Sequence, residues 1–134
     1  MAVVSSMPPI LRLKRSAQSG SYVMTAAWQV VYTENTTAST LAYIFAGAEI
    51  NLSPMILGDT IAIRIRKILV PSGAWVNHDQ LTYEGVQPTT HPSRHIGPIP
   101  DVYGVEIAMQ QSTVGLALQT IECEFYDAKR LGLT

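Results

Sequence analysis

TIAIRIRKILV, Thr60 to Val70, is the stretch whose reading decides the fold. Ile61, Ile63 and Ile65 alternate with Arg64 and Arg66, so a backbone with a side-chain period of two turns apolar groups to one face and cations to the other. Helical geometry would scatter the same residues around its circumference. The apolar phase then moves to Ile68 and Val70. A slip at Arg66–Lys67 is what a β-bulge would produce, because one extra residue flips every later side chain. PSGAW, 71–75, supplies a turn, and VNHDQLTYEGV, 76–86, returns as the second half of a hairpin.

Upstream, SYVMTAAWQVVYTE, 21–34, is rich in β-branched and aromatic residues and holds neither glycine nor proline. Both of its faces are apolar, which predicts one continuous strand in the middle of a sandwich or under a partner. The polar run ENTTAST interrupts it, and LAYIFAGAEINL, 41–52, resumes the pattern. SPMILGD, 53–59, adds a proline and a Gly-Asp turn, with a short helical turn expected over Pro54–Leu57.

Downstream, VYGVEIAMQQ puts Tyr103, Val105, Ile107 and Met109 on one face, with Glu106 and Gln110 on the other. STVG turns the chain. LALQTIECEFYDAKR then returns with Ile121, Cys123 and Phe125 inward and Glu122 and Glu124 outward, a second hairpin by its pattern. Six or more strands without an amphipathic helix predict an all-β fold, a compact antiparallel β-sandwich or barrel over residues 21–134. Jelly-roll and immunoglobulin-like strand orders both fit. Residues 1–20 show neither period and carry Pro8–Pro9, so they read as an extended N-terminal arm with a basic cluster, Arg12, Lys14 and Arg15, beside Leu11.

At 134 residues the chain holds one real core and not two. Only 14% of residues are charged, against roughly 25% in an average soluble domain, while 47% are hydrophobic. That balance predicts that other subunits cover part of the surface. No apolar run approaches the roughly 18 residues that suggest a membrane-spanning helix, so membrane insertion is not expected. A net charge of −1 gives no general field for nucleic acid, the basic arm being the local exception. The N-terminus lacks a signal-peptide pattern, which predicts synthesis in a cytoplasm. Cys123, alone and in an inward phase, predicts a buried inert thiol and no disulfide framework.

The stretch HPSRHIGPIP, 91–100, invites a metal reading through His91 and His95, with His78 and Asp79 upstream. A pair of histidines four apart shares a helix face, but Pro92 removes that geometry and Pro98 and Pro100 extend the break. The expectation is a stiff crossover loop that presents a fixed shape, with no metal and no cofactor. Glu122 and Glu124 share a strand face; a glycosidase would bring its two carboxylates from separate elements across a cleft. They are expected to pair with Arg64 and Arg66, across strands or across a subunit boundary. Trp75 at a hairpin tip, with Tyr83 and the 86–100 loop, is the one arrangement that fits a carbohydrate- or ligand-binding module.

The segments GDTIAIRIRKILVPSGAWVNHDQLTYEGVQP and VYGVEIAMQQSTVGLALQTIECEFYDAKR resemble the repeating hairpins of small virion β-sandwiches, the decoration or minor capsid proteins of tailed phages and archaeal viruses. The resemblance is one of texture over about two thirds of the chain and carries no diagnostic residue. It implies a non-enzymatic, self-assembling structural protein, made in the host cytoplasm, that forms a homo-oligomer and meets other particle proteins. The residues expected to make assembly contacts are Leu11, Arg12, Lys14, Arg15, Arg64, Arg66, Trp75, His91 and His95.

Overall fold

The computed structural model describes residues 10–35, 43–101 and 103–131. Pro8–Pro9 and most of the ENTTAST break lie outside the described residues. Ten strands run in chain order: β1 Ile10–Arg15, β2 Gly20–Val23, β3 Gln29–Asn35, β4 Tyr43–Asn51, β5 Thr60–Ile68, β6 Trp75–Glu84, β7 Ser93–Ile96, β8 Ile99–Asp101, β9 Gly104–Thr113 and β10 Thr120–Leu131. One sheet has the order β1-β10-β4-β7, with β2 also on β10 and β8 also on β4; the other has the order β3-β9-β5-β6. No helix is present among the described residues.

Two edge strands are interrupted rather than doubled. β1 and β2 both lie antiparallel to β10, along Tyr126–Leu131 and Thr120–Cys123 respectively. β7 and β8 both lie antiparallel to β4, opposite Ala48–Asn51 and Tyr43–Phe45. Counting each broken edge once leaves eight strands in nested antiparallel pairs: first with last (β1/β2 with β10), β3 with β9, β4 with β7/β8, and β5 with β6. That nesting is one long hairpin wound into two sheets, a jelly roll. The immunoglobulin-like alternative is thereby set aside.

Inward side chains from both sheets form the core. Ile61, Ile63 and Ile65 of β5 meet Val105, Ile107 and Met109 of β9 on one side, and Phe45, Ile50, Ile121, Cys123 and Phe125 on the other. The Tyr32 ring sits between Phe45 and Phe125, at centroid distances of 4.9 and 5.0 Å. Cys123 is buried, as expected, and desolvation pushes its thiol up to about 12. At Gly47 the φ of +141° and a close approach coincide: a Cβ there would lie 2.7 Å from the Ile96 carbonyl oxygen.

Three local expectations are corrected. SYVMTAAWQVVYTE is not one strand: residues 24–28 carry the chain from one sheet to the other, with Met24 N–H bonded to Gln119 O and Gln111 N–H to Thr25 O. A continuous apolar pattern looks the same whether the chain stays in its layer or crosses through the core. The second hairpin does not form either, because β9 and β10 belong to different sheets. Over Pro54–Leu57 the chain makes two turns and no helix.

The β-bulge is present, but on the opposite strand from the one expected. Ile65 faces Asp79 and Arg66 faces Asn77, so the extra residue is His78 in β6. Along β5 the alternation continues without a slip. Ile68, 6% exposed yet outside the core cluster, is buried on the outer face, where Trp75 covers it.

Residues 1–20, read as an arm, are described from Ile10. Leu11, Arg12 and Lys14 lie on β1, opposite Arg130, Lys129 and Asp127.

Candidate functional site

Polar side chains concentrate in three places. The first is the outer face of the β3-β9-β5-β6 sheet. Neighbouring strands place Arg66 opposite Glu106 and Arg64 opposite Ala108. The Glu106 carboxylate takes Arg66 at 2.6 Å, and Arg64 lies 4.0 Å away. Arg64 stacks over the Trp28 ring at 4.5 Å, and Arg66 lies 6.0 Å from the Trp75 ring. The two indoles exclude enough water to leave Glu106 only 5% exposed on an outward-facing position. Arg64 Nε has no hydrogen-bond partner among the described residues.

Arg64, Arg66 and Trp75 are therefore brought together, as a block that stiffens this face. Within one chain the arginines do not pair with Glu122 and Glu124, which sit on the other sheet. Trp75 is half-buried, and its ring comes close to Gly104, where a Cβ would lie 3.0 Å from it. Tyr83 packs against the core cluster, with the Arg94 guanidinium 5.2 Å from its ring.

The second place is the outer face of the opposite sheet, a shallow open depression of about 410 Å³ lined in part by Arg15, Glu49, Asn51, Ser93, Glu122 and Glu124. Register puts Glu124 directly beside Glu49, and Glu122 beside Asn51. Each carboxylate has its own partner. Arg15 Nε donates to Glu124 at 2.8 Å, Asn51 to Glu122 at 3.2 Å, and Ser93 to Glu49 at 2.7 Å. His95 Nδ1 lies 3.1 Å from Glu49. These groups are solvated, and ion pairs in that setting contribute roughly 0–1 kcal/mol each.

His95 is corrected from loop to strand: Arg94 and His95 belong to β7, opposite Ile50 and Glu49. His91 stays in the crossover between the sheets, its Nδ1 2.8 Å from Thr90 Oγ1 and its carbonyl taking Arg94 Nη1 at 2.8 Å. The two histidines serve different elements. No group of three or more metal-ligating side chains converges among the described residues.

The third place was not legible in the sequence. Asp59, 1% exposed, ends the connection from β4 to β5 and accepts four hydrogen bonds. Backbone N–H groups of Ile56 and Gly115 donate at 2.9 Å each, Gln111 Nε2 at 3.0 Å and Gln119 Nε2 at 3.1 Å. Burial by itself would raise this carboxyl, but the four donors together outweigh it and hold it below the usual range. Gly85 N–H bonds the Asp59 carbonyl at 2.9 Å, so a third connection is tied to the same residue. Gly58, with φ +94°, lets the 56–58 segment touch Gly115: a Cβ on Gly58 would lie 2.9 Å from the Gly115 Cα. The available signal was Gly-Asp before a strand, with glutamines at either side of the STVG turn.

Around this anchor, one end of the sandwich exposes Ile56, Leu57, Val114, Leu116 and Leu118, with Leu57 and Leu116 each 85% exposed. Val23 and Val86, also exposed, border the same loops. The end is apolar outside and pinned by a carboxylate inside.

No protein-family model matches the chain, and no curated protein does. Among solved structures the chain is similar to a chain of the T13 particle of infectious bursal disease virus, at 13% identity and a TM-score of 0.46, over 95% of this chain and 32% of that one. A chain from the Gx strain of the same virus aligns at 13% identity and a TM-score of 0.44, over 92% of this chain and 32% of that one. The chain spans about a third of the length of either.

Proposed function

We propose that this protein is a non-enzymatic structural subunit, a capsid, decoration or related component of a virion, that acts through contacts with copies of itself and with other particle proteins. The observation that supports this best is the apolar loop end. Contiguous exposed apolar surface of this kind marks interaction sites in soluble proteins. Here it is not a frayed tip: Asp59 ties the 52–59, 85–92 and 114–119 connections into one rigid shape. Rigid apolar edges lose little entropy on association, which favours assembly. The fold alone is neutral, since jelly rolls serve capsids, lectins and cupins alike. The finer reading, a particle of the tailed-phage or archaeal-virus kind assembled in the host cytoplasm, belongs to the same proposal.

Analytical sedimentation and negative-stain electron microscopy test it. The native chain is expected to form an assembly larger than a dimer, and Leu57→Asp with Leu116→Asp to abolish that larger assembly without changing the circular dichroism of the β-fold. A native chain that stays monomeric at every concentration would overturn the proposal, as would a double variant that assembles normally.

A further inference from the structure

The sandwich has four lateral edges, and three of them are closed to further strand pairing. Along β3, the Gln18 side-chain amide bonds both the N–H and the carbonyl of Thr33, at 2.9 Å each, and the Tyr22 hydroxyl donates to the Val31 carbonyl. That edge is capped by side chains standing in for a strand. The β1/β2 edge is broken by the 16–19 step, where Ser16 N–H and Ser19 Oγ hold Phe125. The β7/β8 edge is broken at 97–98 and carries Pro92, Pro98 and Pro100. These are ordinary ways of blunting an edge.

The β6 edge differs. It is ten residues long, WVNHDQLTYE, with no glycine, proline, lysine or arginine, and among the described residues it terminates its sheet with β5 as its one ladder partner. From Val76 to Gln80 its side chains are exposed on both faces, so the strand overhangs the sandwich.

The bulge at His78 sets which residues of β6 share a face. Trp75, Asn77, Gln80 and Thr82 lie opposite Ile68, Arg66, Arg64 and Ala62, the outward residues of β5. Val76 and Leu81 lie opposite Lys67 and Ile63, on the inner face. Asn77 and Gln80 therefore share a face although they are three apart, which an unbulged strand forbids.

A copy related by a two-fold axis normal to the sheet would pair with β6 antiparallel, and each residue must then meet one on its own face. With the axis between His78 and Asp79, the three flanking pairs satisfy that condition. Asn77 meets Gln80 of the second copy, Val76 meets Leu81, and Trp75 meets Thr82. At the centre His78 of each copy faces Asp79 of the other, an imidazole opposite a carboxylate, twice over. Asp79 Oδ1 accepts the Gln80 N–H at 2.8 Å, a bond within the strand itself.

We propose that β6 is a two-fold pairing edge, over which a second copy of this chain joins its β3-β9-β5-β6 sheet into one continuous eight-stranded sheet centred on His78 and Asp79. It deepens the assembly reading by naming one contact, separate from the apolar loop end.

Sedimentation with charge exchange tests it. The native chain is expected to contain the two-fold pair. His78→Asp, which sets carboxylates against carboxylates at the centre, should weaken pairing at least tenfold, and His78→Asp with Asp79→His should restore it. As a second route, Asn77→Cys with Gln80→Cys should give disulfide-linked dimers on mild oxidation, since residues in register lie within disulfide reach while the same two positions in one chain do not. A pair that survives His78→Asp and fails to cross-link through 77 and 80 would overturn the proposal. Particles that form normally from His78→Asp would sink the β6 edge and leave the particle reading standing. A native two-fold pair that cross-links at 77–80 without any larger particle would do the reverse.

Discussion

Two pairs of strands look alike in the sequence and end in different places. β5 and β6 are joined by residues 69–74 and lie side by side; β9 and β10 are joined by 114–119 and lie in opposite sheets. Both have alternating inward residues, polar outward residues and a short connection. The first connection is local: Gly73 N–H bonds the Val70 carbonyl at 3.0 Å, and Ser72 takes a φ of +56°. The second is held from a distance, its Gly115 N–H and both flanking glutamines bonded to Asp59, more than fifty residues upstream. A turn that closes on itself makes a hairpin, and a turn gripped by another part of the chain can cross the core.

The largest expected effect removes that grip. Asp59→Ala removes the acceptor of two backbone N–H groups and two glutamine amides around a buried position, and should cost about 4 kcal/mol in denaturant titration. The loss should appear as loosened hydrogen-exchange protection at 111–119 before the 69–74 turn is affected. A cost below about 1 kcal/mol, the range for surface changes, would break the comparison. Ile63→Ala, at a fully buried position of the local hairpin, should cost about 3 kcal/mol as a core truncation, whereas Arg64→Ala on the same strand should cost less. Equal losses would mean that the alternation of β5 does not report burial.

Acid sharpens the same contrast. The Asp59 carboxyl is depressed in the folded state, so its contribution is fully present above its unfolded value of about 3.9 and is lost as pH falls through the lower folded value. Native stability should therefore fall with pH below about 4, and the fall should be shallower in Asp59→Ala. Parallel acid limbs for the two proteins would remove Asp59 from that role. The smallest effect belongs to the local turn. Ser72→Gly relieves a left-handed backbone at the price of a floppier unfolded chain, for a net gain of about 0.5 kcal/mol in thermal unfolding.

The sequence by itself determined the all-β class, the strand positions of β4, β5, β6, β9 and β10, the inward residues Ile61, Ile63, Ile65, Val105, Ile107, Met109, Ile121, Cys123 and Phe125, and the hairpin that starts at Thr60. Each is a local consequence of a two-residue period and a nearby turn. A bulge was legible too, though its strand was not. Only the tertiary structure decided which sheet each strand joins, that residues 24–28 cross between layers, that Arg66 meets Glu106 rather than Glu122 or Glu124, and that Asp59 organises one end. The physical reason is common to all four. Alternation says which side chains turn inward, but inward is the same direction for either sheet. The choice between layers is made by ladder partners and buried hydrogen bonds contributed by residues far away along the chain.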